Sequence, residues 1–197
     1  MTPIKALITV ALGLWLAGCA TSGPAPSRYT LPMEPGRDPT DVAGVQAAHR
    51  LLVEQPRLAR FLEVDGLVLQ LDDITLNEAN HHRWAEPLVL QLERGLRARL
   101  AARLPDTRVM QADTNRHQQG APTLRLTVDA FHGRFDGRAV AAGQWQLRGA
   151  EGELLAMSPF AVEVELTQDG YPALVRALGR SWDQVAEQIA TDIKRLR

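Results

Sequence analysis

The sequence predicts an α/β fold: a single-domain sandwich with a mixed, largely antiparallel sheet and two long amphipathic helices. Two apolar stripes predict the helices. Trp84, Leu88, Leu92, Leu96, Leu100 and Leu104 recur at intervals of four, and Leu174, Leu178, Val185, Ile189, Ile193 and Leu196 form the second stripe. Period-two runs predict the sheet: Leu124, Leu126, Val128 and Ala130 alternate with Arg125, Thr127 and Asp129.

Taken in order, Arg28 to Pro32 reads as a first strand closed by proline. Residues 33–48 are weakly patterned and broken by Pro35, Gly36, Pro39 and Gly44. His49 to Glu54 reads as a strand and Pro56 to Leu62 as a short helical turn. Leu67 to Asp72 is a strand with Leu67, Leu69 and Leu71 inward, and Asn77 to Arg83 a polar connection. Helix one then carries Glu86, Glu93, Arg94, Arg97, Arg99 and Arg103 mostly off its leucine line. Pro87 sits in the first turn, where its missing N–H has no partner to lose, and Pro105 stops the helix. Gly95 costs roughly 1 kcal/mol against alanine in a helix interior, which suggests close approach to a strand.

Thr107 to Gln111 reads as a returning strand, so strand, helix and strand permit a right-handed parallel crossover. A meander follows. Thr123 to Phe131 leads to a two-residue turn at Asp136-Gly137, and Val140 to Leu147 pairs back with Trp145 and Leu147 on one face. A turn at Gly149 to Gly152 leads to the last strand, where Phe160, Val162, Val164 and Leu166 alternate with polar neighbours. Pro159 implies an edge position or a bulge there. Helix two runs from Tyr171-Pro172 to the C-terminus, with Lys194, Arg195 and Arg197 suited to the negative end of its dipole.

The N-terminus reads as a targeting segment. Lys5 supplies positive charge, Ala6 to Leu16 an apolar run, and Ala17 and Gly18 small residues before the only cysteine, Cys19. Ile4 to Ala17 is too short for the roughly 20 residues of a membrane span. An ordinary secretory signal would end in an Ala-x-Ala-like site. Leu16-Ala17-Gly18-Cys19 instead resembles the bacterial lipobox, which implies cleavage before Cys19 and a covalent diacylglycerol and N-acyl chain on that residue. The expected division is a signal peptide over 1–18, an acylated N-terminus and flexible tether over 19–27, and a periplasmic domain over 28–197. Eight residues from Ala20 to Ser27 at ~3.1 Å each reach about 25 Å. In the lipoproteins this segment resembles, aspartate after the cysteine retains the protein at the inner membrane. Ala20 in that place implies the outer membrane.

Removal of residues 1–18 from the 197 leaves 179, a length suited to one domain. The 22 basic and 23 acidic residues nearly balance, which argues against a nucleic-acid binder. With Cys19 acylated no thiol remains for a disulfide or for cysteine chemistry. Neither a G-x-S-x-G elbow nor a glycine-rich phosphate loop is present, so no catalytic residues, no metal and no other cofactor are assigned. His81-His82 is the most tempting metal pair, but adjacent strand residues face opposite ways and no ligand lies at metal spacing. His49, His117 and His132 are scattered, and read as solvent-facing or locally hydrogen-bonded. Asp72-Asp73 reads as a turn cap, and Glu163 with Glu165 as a solvated sheet face.

Three segments then carry a resemblance: Ser27-Arg28-Tyr29-Thr30-Leu31, Trp84-Ala85-Glu86-Pro87-Leu88 and Gly170-Tyr171-Pro172-Ala173-Leu174-Val175. In that order, behind a lipobox, they resemble the PqiC/YmbA-type lipoproteins, the ABC-type transport auxiliary lipoprotein components. The resemblance covers nearly all of the mature chain except residues 33–48. It implies a non-enzymatic accessory or docking subunit of an MCE/ABC-type intermembrane lipid transport system, anchored in the outer membrane and facing the periplasm. Its implied partners are an MCE-domain protein and the associated membrane transporter subunits, with association between copies of the chain left open. Trp84, Glu86 and Pro87 are candidates for docking, although helix physics already explains each one. Two other readings remain: a lipid carrier, which needs an apolar cavity of roughly 300–1,000 Å³ between helices and sheet, and a periplasmic hydrolase.

Overall fold

The computed structural model describes residues 25–33, 47–112 and 120–197. The 1–18 leader, the lipobox with Cys19, most of the weakly patterned 33–48 stretch and His117 lie outside the described residues. The sheet is built around one long strand, β7 (Thr123–Arg134). On one side β7 pairs antiparallel with β8 (Arg138–Arg148), which pairs antiparallel with β9 (Leu154–Glu165). Its other side is shared lengthwise by three short parallel strands, β2 (His49–Val53), β3 (Arg57–Leu58) and β4 (Gly66–Gln70). Beyond β2 lies β6 (Thr107–Gln111), in parallel. Beyond β4 lie β5 (Leu76–Trp84), antiparallel to it, and β1 (Ser27–Tyr29), parallel to β5. The sheet is mixed, and its longest pairings are antiparallel.

Two helices complete the sandwich: α1 (Leu88–Arg103) between β5 and β6, and α2 (Tyr171–Arg195) after β9. Helix α2 packs on β7, β8 and β9, while α1 packs on α2 and β6. The expected leucine row of α1 is buried from Leu88 through Leu104, because spacing by four keeps one face inward. Trp182 of α2 is the centre of the core. Its ring meets Phe131 edge-on at 5.7 Å and Phe160 at 6.2 Å, and its indole N–H donates to the Leu92 carbonyl at 3.1 Å. Gly95 permits this approach: a Cβ there would lie 3.6 Å from Trp182 and 2.8 Å from the Arg99 guanidinium. The close neighbour of Gly95 is therefore the other helix, not a strand.

Several local expectations are corrected. Asn77 to Arg83 is most of β5, not a connection; only Ala79 and Trp84 of that strand are buried, so no apolar alternation marks it. Trp84 ends β5, and the helix starts at Leu88 behind Pro87, whose ψ of 131° is not helical. Within Pro56 to Leu62, Arg57–Leu58 is a strand and only Arg60–Leu62 a 3-10 turn, because β7 offers pairing partners along its whole length. The inserted β5 also changes the crossover. β4 and β6 are parallel, but α1 joins β6 to an antiparallel β5 across the sheet. The β7–β8 turn has three residues, since Arg134 pairs with Arg138 and Gly137 takes φ 79°. β9 is an edge strand, which accommodates Pro159. Leu71 and Leu196, expected inward, are each 52% exposed because each lies just past its element.

Candidate functional site

The three sequence segments that carry the resemblance meet at one junction. Tyr29 of β1 stands opposite Trp84 of β5, and its carbonyl accepts the Ala85 N–H at 2.8 Å. His82, two residues earlier, stacks on Tyr171 at the start of α2, with ring centroids 3.9 Å apart and an 18° tilt. The Tyr29 hydroxyl shares a 2.8 Å hydrogen bond with His82 Nδ1. Tyr29 and Tyr171 thus hold His82 in place. His81 beside it is exposed.

The chain after β1 is tied down just as closely. The Leu31 N–H donates to Gln91 Oε1 at 2.6 Å. Arg99, with its side chain 3% exposed, donates to the Pro32 carbonyl at 2.7 Å and the Gly95 carbonyl at 3.2 Å, and pairs with Asp183 of α2. One guanidinium fork therefore joins the N-terminal segment to both helices. Gly179 makes room for the ring of Pro32, which a Cβ there would approach to 3.1 Å.

Trp84 is buried to 5% exposure near Phe131. Glu86 is half-buried and paired with Arg94, and that hydrogen bond holds its carboxyl below the usual range. Pro87 is exposed as the residue before α1. The geometry gives Trp84 to the core and Glu86 and Pro87 to the start of the helix. Asp72 accepts the Ile74 and Thr75 N–H groups at 2.9 and 2.7 Å, so it caps a turn. His49 is exposed, and His132 is buried with Nδ1 3.0 Å from the Gly133 carbonyl oxygen. Among the described residues, no group of three His, Cys, Asp or Glu side chains could hold a metal ion.

Beside the junction an apolar cavity of about 160 Å³ is walled by Leu69, Leu166, Tyr171 and Leu174, with Arg134 and Arg138 at its rim. At the other end of α2 a depression of about 550 Å³ combines Leu147, Leu155 and Ile193 with His49, Arg50 and Arg197. Around the first cavity, Arg134 pairs with Asp136 at 2.7 Å and Glu163 at 2.6 Å, and Arg138 adds a 3.0 Å pair to Glu163. Hydrogen bonds from Arg134 and Arg138 hold the Glu163 carboxyl below its ordinary 4.5. A depressed carboxylate stabilises the fold above its unfolded value and stops doing so as pH falls through its folded value. The stability gap between wild type and Glu163→Gln is therefore expected to be present above pH 4.5 and to close below it, read from thermal melts across that window.

Sequence reading missed the Tyr29–His82–Tyr171 cluster, because the residues lie on three elements. It also missed the exposed Ile74 and Phe135, each an apolar residue in a polar turn. That placement alone is a sequence signal for a surface role.

Comparisons with known proteins agree with this architecture. The family model described as the ABC-type transport auxiliary lipoprotein component matches residues 29–190. The chain is 38% identical over 192 residues to the intermembrane transport lipoprotein PqiC of Escherichia coli K12, covering 98% of each chain, and equally to that of Shigella flexneri. A crystal structure of an uncharacterized protein is 33% identical with a TM-score of 0.74, covering 86% of this chain and 99% of that one. A Xanthomonas campestris protein, 18% identical, shares the fold with a TM-score of 0.62, over 84% of this chain and 90% of its own. With its sheet, its two helices and its three converging segments, the chain belongs to the ABC-type transport auxiliary lipoprotein component family.

Proposed function

We propose that the protein is a non-enzymatic accessory subunit of an intermembrane lipid transport system, held at the outer membrane by acyl chains on Cys19 with its body in the periplasm. It acts by docking, and its partners are an MCE-domain protein and the membrane transporter subunits that work with it. One observation carries the reading: similarity across 98% of the chain to a protein named as an intermembrane transport lipoprotein. The lipobox-like Leu16-Ala17-Gly18-Cys19 supplies the anchor, since two or three acyl chains at ~0.8 kcal/mol per buried methylene hold durably where one is marginal. The tightly tied N-terminal segment suits a protein whose anchor precedes β1. The carrier reading has less support, because the apolar cavity of about 160 Å³ falls below the roughly 300 Å³ at which ligand sites begin, and the depression of about 550 Å³ at the other end of α2 is lined as much by His49, Arg50 and Arg197 as by apolar groups.

Two measurements test the proposal. Intact mass of the mature protein is expected to give a chain beginning at an acylated Cys19; a bare thiol or a retained leader would refute the anchor. Crosslinking in intact envelopes is expected to co-isolate an MCE-domain protein, and its absence would refute the docking role.

A further inference from the structure

Four large apolar side chains stand at one end of the sheet with no core to fill. In the β4–β5 turn Leu71 is 52% exposed and Ile74 86%, Leu76 follows at 41%, and Phe135 in the β7–β8 turn is 63% exposed. The register sets the two turns side by side. Gln70 of β4 pairs in parallel with Arg134 of β7, so Leu71 and Phe135 each lie one residue beyond that pair. Both turns are braced: Asp72 caps the first and the Leu71 N–H donates to the Thr75 carbonyl at 2.8 Å; in the second the Gly137 N–H donates to the Arg134 carbonyl at 3.1 Å, and the Leu166 N–H, from beyond β9, donates to the Gly137 carbonyl at 2.9 Å.

The same end receives the N-terminal chain. β5 starts at this end with Leu76, and β1 runs parallel to it, so the residues before Ser27 arrive from the side of the exposed turns. Ser27 pairs with His82, six residues along β5 from Leu76. That separation is at most about 20 Å at ~3.3 Å per residue. The eight steps from Cys19 to Ser27 span at most about 27 Å. A lipid surface holding Cys19 thus lies within reach of Ile74 and Phe135.

We infer that these two turns make a second, non-covalent contact with the membrane, in which Ile74, Phe135 and Leu71 enter the interfacial layer of the leaflet that holds the acylated Cys19. The inference rests on the lipid anchor of the proposed function. The surface it fits is a zwitterionic phospholipid leaflet. Asp72 and Asp73 directly precede Ile74, and Arg134, Arg138, Asp136 and Glu163 neutralise one another, so no cationic excess invites anionic lipid. Apolar burial drives the contact, while the acyl chains supply residence. The contact fixes orientation: the Gly149–Gly152 turn at the far end of β8 points into the periplasm.

The chain has no cysteine besides Cys19, so Ile74→Cys, Phe135→Cys and Glu151→Cys each offer one thiol for a nitroxide in the lipidated protein. In phosphatidylethanolamine–phosphatidylcholine vesicles, collision with a water-soluble nickel complex is expected to be at least about fivefold lower at positions 74 and 135 than at 151. Raising salt to about 0.5 M should leave that ratio unchanged. Equal collision rates at all three positions in protein whose mass shows acylation would overturn the contact and leave the anchor standing. Protection that disappears as protein is diluted in excess lipid would mean a second copy covers the turns, and would also overturn it. An unacylated mass would remove the anchor itself.

Discussion

Trp182→Ala is expected to cost the domain about 3–5 kcal/mol, the range for deleting a large aromatic side chain from a packed core. Trp182 is fully buried and meets Phe131 and Phe160 edge-on, so truncation leaves a cavity beneath both helices. It also strips the Leu92 carbonyl of its indole donor. Collapse to fill the void is limited because α1 is already held against α2 through Arg99 and Arg103. Urea unfolding should show a large fall in the midpoint with little change in slope. Trp182→Phe should recover part of the loss, refilling volume without restoring the N–H.

Arg99→Ala is expected to cost about 3 kcal/mol, near the lower bound for breaking a buried ion pair. The lower bound applies because Asp183 keeps 20% exposure and can regain water once its partner is gone. The Pro32 and Gly95 carbonyls lose a donor as well, and Pro32 is a firm hold on the segment that leaves β1. Arg99→Lys should rescue only a fraction, since one ammonium cannot span three acceptors set out for a planar fork. Urea unfolding gives the global cost. Hydrogen exchange at the Leu31 amide should rise more than at the centre of β8, separating local loosening from loss of the whole fold.

Elements with one wet face and one dry face were the legible ones. The leucine row of α1, the α2 stripe up to Ile193, the start of β7 and the alternation of β9 lie where the structure has them, but Leu196 falls outside α2, and a bulge between Val128 and Ala130 turns Phe131 into the core where Ala130 was expected. β5 was not legible, because it lies near a margin of the sheet and buries only Ala79 and Trp84, so its polar run carries no period of two. Arg99 and Glu93 were misread for a related reason. Charge on a helix suggests water, yet both are buried; Glu93 pairs with Arg97 at the readable i,i+4 spacing, whereas the Asp183 partner of Arg99 is visible only once the packing of the two helices is known. The candidate site was legible as three separate segments, but their meeting was not. No local rule brings the Tyr29 hydroxyl to Nδ1 of His82 and the Tyr171 ring onto its face; that takes the parallel pairing of β1 with β5 and the return of α2 across the sheet. The N-terminal reading at Cys19 is of another kind, resting on the order of residue types rather than on packing.

The three-residue strand β1 has a mechanical consequence. It enters the domain parallel to β5, so tension drawn through the chain from its N-terminal side acts along the strand axis and loads the bonds to β5 together. Shearing a row of bonds at once takes more force than peeling them singly. Behind that row stand the Gln91 and Arg99 clamps on Leu31 and Pro32, a second latch that engages only if the first slips. A domain tugged from its N-terminal side is thereby fastened at the point where the strain would arrive.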